Sequence, residues 1–242
     1  MIRRLSFCFV VVTAFIVAAC GRQVTPNPPG LGPGGAPPGY MAIHFDVESP
    51  FNFSSYQYMV VFNTTGTGVT PSTDTLQTNW AGYSFALLAL GNGGTAYAEP
   101  VQFIHNQNPH IPPAWFKLGT VPQQFSFNPN SNGNGTEFSM LAQRSIFKGS
   151  SPSPSPSATP PAIWSFNAFT TQASVGGGGT WTFVDSLGSG GPIDPQFVSP
   201  KLCMTEPFDN TYYALDNTIS DPAAQIVSVE LSNNPVRPTP CP

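Results

Sequence analysis

The sequence predicts an all-β fold, an antiparallel β-sandwich of two sheets behind a disordered N-terminal stalk. Three observations predict it. Only 8% of the 242 residues are charged, and helices with solvated faces usually carry many Lys, Glu and Arg. There are 28 prolines and 23 glycines, which punctuate a chain into short strands joined by turns. Phe is the main large hydrophobe, with 19 copies, and with Val, Thr and Tyr it suits a pleated, half-buried surface. No segment carries a sustained helical stripe.

The chain opens with Arg3 and Arg4, an apolar run Leu5–Val17, and then Ala18-Ala19-Cys20. The run is shorter than the ~20 residues of a permanent span, and the basic start with small residues at its end reads as a signal peptide over 1–19. Val17-Ala18-Ala19-Cys20 resembles the lipobox of bacterial lipoproteins. That resemblance implies cleavage before Cys20, a thioether-linked lipid on its sulfur, since the thiolate is the nucleophile, and acylation of the new amino terminus. Several chains matter, because each buried methylene contributes ~0.8 kcal/mol and one chain alone anchors marginally. The expected location is the extracytoplasmic side of a bacterial envelope membrane, and the membrane itself is the first expected partner. Two other readings stay open: plain secretory cleavage that leaves Cys20 a thiol, and an uncleaved anchor helix. Gly21 follows the cysteine. Lipoproteins retained at the inner membrane often carry aspartate there, so the resemblance favours the outer membrane where one exists.

Residues 20–39 are the lipidated cysteine and a stalk. Gly21–Gly39 holds six prolines and six glycines and no apolar pattern, so it cannot build a core. Its reach lies between ~25 Å as a coil and ~60 Å as polyproline II.

The body is expected over 40–242. Ala42–Glu48 alternates, with Ile43, Phe45 and Val47 on one face and His44, Asp46 and Glu48 on the other, as in a half-buried strand. Ser55–Asn63 is apolar on both faces around Met59–Phe62 and reads as a central strand. Ser84–Leu90 and Tyr97–Ile104 follow, joined through Gly91–Gly94, which suggests a looser hairpin. Gln123–Phe127 is a short strand. Glu137–Phe147 is a strand, alone or with one helical turn. Ile163–Thr171, Thr180–Asp185 and Ala224–Leu231 complete the set. The Ser/Pro tract 150–161 is extended and solvated. It reads as a loop inserted in one domain, because the strands after it are too few for a sandwich of their own.

Cysteine use fits an oxidising compartment. With Cys8 in the signal and Cys20 lipidated, Cys203 and Cys241 remain as a pair. A disulfide between them would stabilise the fold by about 4 kcal/mol in the chain-entropy model. Two separate thiols are the alternative. The net charge is −4 and falls further when Arg3 and Arg4 leave, so no nucleic-acid partner is expected.

The opening strand, then Tyr56-x-Tyr58-x-Val60-Val61-Phe62-Asn63-Thr64-Thr65-Gly66, resembles DOMON-like and family-nine carbohydrate-binding modules. Trp80 in a loop, Trp164–Thr171, Trp181–Gly188 and the closing Asp221–Val229 extend the likeness over about residues 40–232. It implies a two-sheet sandwich, DOMON-like or immunoglobulin-like, that binds sugars or haem or serves as a scaffold. Asn63 stands where that pattern has an acidic residue.

Several constellations are candidates for chemistry. Trp80, Tyr83 and Trp115 lie in loops, where a ring can stack on a sugar or cap the core. Trp164 and Trp181 read as core. His44, Asp46 and Glu48 could meet a cation but read first as a solvated face of an edge strand. His105 and His110 lack a third metal ligand. Met59 with His44 could ligate haem. Asp209-Asn210, Asp216-Asn217 and Asp221 could hold calcium or simply form turns. Gly82-Tyr83-Ser84 resembles a nucleophile elbow but lacks its strand–turn–helix context. Gly176–Gly179 lacks the Lys-Ser/Thr of a phosphate loop. Asp46 and Glu99 could form a carboxylate pair only if the fold joins them. The leading expectation is a non-catalytic module that binds carbohydrate, or an envelope protein or other envelope component, through Trp80, Tyr83 and Trp115. No cofactor is expected, with calcium as the alternative. The other function is a structural or protein-interaction lipoprotein, and a carboxylate hydrolase comes third.

Overall fold

The alternation of the opening strand sets the first sheet. In a computed structural model that describes residues 35–74, 79–105, 114–147, 162–173, 181–188, 197–214 and 219–242, β1 (Tyr40–Val47) turns Met41, Ile43, Phe45 and Val47 into the core. It lies between β12 (Ile226–Asn234) and β7 (Glu137–Gln143), antiparallel to both. β11 (Phe208–Tyr213) flanks β12 and β6 (Phe125–Asn128) flanks β7, giving five strands. β1 is therefore an interior strand and not the edge its polar face suggested. Alternation reports that one sheet face is solvated; it does not report position in the sheet.

The second sheet is built on β2 (Tyr56–Asn63), which is central as its two apolar faces require. It pairs with β3 (Phe85–Asn92) and β8 (Ile163–Gln172). β4 (Thr95–Ile104) and β5 (Ala114–Lys117) extend the sheet beyond β3. β9 (Phe183–Ser186) and β10 (Leu202–Cys203) share the far side of β8. Every pairing is antiparallel, and the two sheets pack as a β-sandwich. Both sheets take strands from either side of the tract 150–161, which itself lies outside the described residues.

Two local features have clear causes. The β3–β4 hairpin is tighter than expected: Asn92 pairs with Thr95, and Gly93 and Gly94 alone make the turn, with φ of 56° and 86°. Two positive φ values are what a type I′ two-residue turn needs, and glycine supplies them without steric cost. Pro100 sits inside β4, where its missing N–H would break a ladder. It is tolerated because β5 ends opposite Val101, and only the Pro100 carbonyl is used, accepting from the Leu118 N–H at 2.8 Å.

The shared core is aromatic. Phe45 stacks on Phe138 with ring centroids 5.0 Å apart, and Phe51 meets Tyr58 edge-on at 4.8 Å. Each such side chain contributes about 1.5–3 kcal/mol by leaving water. Tyr58 keeps its hydroxyl satisfied by donating to the Ala223 carbonyl at 2.8 Å. The strand Glu137–Gln143 is followed by a 3-10 turn, Arg144–Phe147, that buries Ile146 and Phe147.

Both ends of the described body meet at one pole. Ala36, inside the stretch expected as stalk, is fully buried. Its carbonyl accepts from Asn234 Nδ2 at 2.8 Å, and Gly39 N–H donates to the Asn234 carbonyl at 2.6 Å. A Cβ on Gly39 would stand 3.0 Å from Val236 Cγ2, so this crossing favours glycine. The tail beyond Asn234 is fastened by the Cys203–Cys241 disulfide, across a separation of 38 residues. Among the described residues no helix is long and apolar enough to cross a membrane.

Candidate functional site

The sheet faces that look away from the shared core hold the chemistry-bearing residues. On the seven-stranded sheet, Met59 and Val61 of β2, Ala86 and Leu88 of β3, Val101 and Phe103 of β4 and Phe169 of β8 point outward. These side chains are apolar and would be exposed. Residues 69–72, in the connection from β2 to β3, fold back over them. Asn63 Nδ2 donates to the Val69 carbonyl at 2.9 Å, Ser165 Oγ to the same carbonyl at 2.5 Å, and Asn167 Nδ2 to the Pro71 carbonyl at 2.9 Å. Tyr83 then donates its hydroxyl to the Ser72 carbonyl at 3.2 Å.

This connection delivers Trp80. It packs against Phe103 at 4.9 Å, Trp181 at 4.9 Å, Tyr83 at 5.6 Å and Trp115 at 6.0 Å, measured between ring centroids. The backbone pays for the placement. Asn79 and Trp80 have φ of 59° and 61°, a left-handed conformation that costs a non-glycine residue about 1–2 kcal/mol. It persists because the aromatic contacts outweigh it. The indole N–H groups of Trp80 and Trp181 are buried without a hydrogen-bond partner. Their rings meet at 64°, an edge-to-face arrangement in which an N–H can rest on a π-cloud.

The structure thus places the sequence-expected ligand residues in two settings. Trp80 is 3% exposed and Tyr83 is 0% exposed. A sugar stacks on an open ring face, and these two rings have none, so they serve as a second core. Burial also pushes the Tyr83 phenol far above its usual pKa. Trp115 is half-buried in β5. It leans on Trp181 at 4.9 Å and keeps part of its surface open. Trp164 and Trp181 are core, as expected.

Outward from the five-stranded sheet the surface is polar. His44 Nδ1 lies 3.2 Å from Glu137 Oε1, and Ser131 donates its hydroxyl to the same oxygen. Ser228 donates to Asp46 Oδ2 at 3.0 Å. Partial burial raises the Asp46 pKa above its ordinary value. Burial, and the neighbouring Asp209 to which it hydrogen-bonds, raise that of Glu230. Glu48 lies beyond the end of β1 and is exposed. Among the described residues no group of three or more His, Cys, Asp or Glu could hold a metal ion.

Other candidates separate in space. Met59 faces outward from one sheet and His44 from the other, so no haem fits between them. Asp46 and Glu99 lie on these same opposite surfaces and do not form a carboxylate pair. Ser84 Oγ accepts the Thr64 N–H at 3.1 Å, which places it in a loop anchor. Asp221 accepts from the Tyr56 hydroxyl at 2.7 Å and from the Ala223 N–H at 3.0 Å. Asp209 sits on β11 opposite Ser232, away from it. Asp216, Asn217, His110, Gly176–Gly179 and Cys20 lie outside the described residues, and His105 is exposed. Asn63 is occupied by its own turn: its Oδ1 accepts the Thr65 N–H at 2.9 Å and the Thr65 hydroxyl at 2.6 Å.

Sequence reasoning missed Asp185. It is fully buried, and its Oδ1 accepts the Ser186 N–H at 2.8 Å while its Oδ2 accepts the Ile226 N–H at 2.7 Å. Ile226 begins β12, so this carboxyl ties one sheet to the other, next to a register shift in the β1–β12 ladder. Burial pushes its pKa up to about 6 against the pull of those two bonds. The available signal was a lone acid two residues beyond Phe183 within an apolar strand. No family model matches this chain, and neither a curated protein nor a solved structure is significantly similar to it.

Proposed function

We propose that this chain is a lipid-anchored, extracytoplasmic β-sandwich of a bacterial envelope that acts as a non-catalytic binding module for carbohydrate or another envelope component. The observation that carries the reading is the run from Arg3 to Cys20, which has the charge, length and small residues of a lipoprotein signal. The fold supports it. Ala36–Gly39 leaves the body beside the C-terminal tail, so a tether at that pole leaves the opposite pole free. Trp115 on β5 supplies the partly open ring that a binding role asks for.

A structural or protein-interaction role without a small-molecule ligand is the second reading. The burial of Trp80 and Tyr83 favours it, because two of the three aromatics expected at a ligand are spent on packing. Labelling of growing cells with an alkynyl fatty acid tests the anchor. The expected outcome is label on the wild-type protein and loss of both label and membrane association in Cys20→Ser. An unlabelled wild-type protein would overturn it.

A further inference from the structure

Resting on the binding-module reading, we infer that the outer surface of β4 and β5 is a binding strip for an unbranched, uncharged glycan, with Tyr97 and Trp115 as its two stacking platforms. Alternation along β4 puts Tyr97 and Glu99 on the same face as Val101 and Phe103. Register then adds Lys117 opposite Val101 and Trp115 opposite Phe103. These four side chains form one line. Tyr97 is 38% exposed, and it lies on the stretch of β4 that β5 does not cover.

Three features select the ligand. First, Lys117 Nζ and Glu99 Oε2 are 2.5 Å apart. The pair cancels its own charge while offering a donor group and an acceptor group, which suits a neutral, hydroxyl-rich chain better than an anion. Secondly, six residues separate Tyr97 from the level of Trp115, which spans about 20 Å along a strand, roughly four pyranose rings. Thirdly, the Trp115 ring is held from behind by Trp181 and Trp80, so stacking on it costs little side-chain freedom. Thr95 and Asn92, paired at the hairpin end, extend the line with further hydrogen-bonding groups.

The test is calorimetric titration of the full chain in detergent with cellotetraose and chitotetraose, and with their disaccharides. Sedimentation with isolated envelope fragments runs in parallel. The tetrasaccharide is expected to bind at least about tenfold more tightly than its disaccharide, since only it reaches both platforms. Tyr97→Ala is exposed and should melt like the wild type, yet weaken the tetrasaccharide by about tenfold. Lys117→Gln should weaken it less. Undiminished tetrasaccharide binding in both variants overturns the strip and leaves the binding-module reading intact. Sedimentation with envelope but no saccharide binding also overturns the strip, and moves the ligand to a protein or another component. Absence of both saccharide binding and sedimentation overturns the strip and the binding-module reading together.

Discussion

The two outer faces of this sandwich solve the same problem in opposite ways. On the five-stranded sheet, β1 alternates, and His44, Asp46, Glu137 and Glu230 meet water directly. On the seven-stranded sheet, Met59, Val61, Ala86, Leu88 and Phe169 are apolar, and the chain supplies a roof of Trp80, Tyr83 and Trp181. One face is solvated by composition and the other by cover. Bulky aromatics in a loop can thus be the far wall of a core, while Trp115, at the rim, keeps an open side.

That contrast breaks most easily at Trp80. Replacing it with Ala should cost about 3–5 kcal/mol by urea unfolding, because it empties the centre of the second core. An unchanged midpoint would mean that the roof is not packed. The expected loss also exceeds what a ligand plate would show, since an exposed ring contributes little to folding.

The next largest effect sits where the sheets are tied. Asp185 has a folded pKa of about 6 against an ordinary value of 3.8. The folded state therefore binds the proton more tightly than the unfolded chain. The resulting stabilisation is fully present below the ordinary value and is lost as pH rises through about 6, and it amounts to about 3 kcal/mol. Unfolding midpoints should rise as pH is lowered from neutral to about 5. Asp185→Asn should flatten that slope, because an amide takes up no proton over this range. A slope that survives the substitution would assign the titration to Asp46 or Glu230, whose pKa values are raised in the same direction.

The smallest effects belong to the solvated face. His44→Ala should change stability by no more than about 0.5–1 kcal/mol, as for other partly exposed polar contacts. Glu230→Gln should be neutral or slightly stabilising above neutral pH, since it removes a carboxylate from beside Asp209. A large loss in either variant, read as the urea midpoint, would mean that this face is covered too.

Much of this contrast was legible in the sequence. The alternation of Ile43, Phe45 and Val47 marks a sheet face open to water, and the unbroken Met59–Phe62 marks a strand buried on both sides. The disulfide follows from cysteine arithmetic. What was not legible is how the second face is buried. Trp80 and Tyr83 flank a glycine in a turn, so the local pattern says loop. That is correct, but local pattern does not report that the loop folds back over the sheet. The demand was visible in Met59 and Val61; the supplier was not. β11 carries a weak signal because four of its six residues are exposed, and only Phe208 and Tyr212 pack against the core. β10 has only two residues, too few to carry a period. Tyr97 and Lys117 came together through register, which no single segment encodes.

The most direct test of the account is tryptophan fluorescence of the native protein with acrylamide. Trp80, Trp164 and Trp181 are buried and Trp115 is half-buried. The expected result is blue-shifted emission with one minor quenchable component, which disappears in Trp115→Phe. Red-shifted emission quenched throughout, or a quenchable component that survives in Trp115→Phe and is lost in Trp80→Phe, would contradict the second core and return Trp80 to the surface.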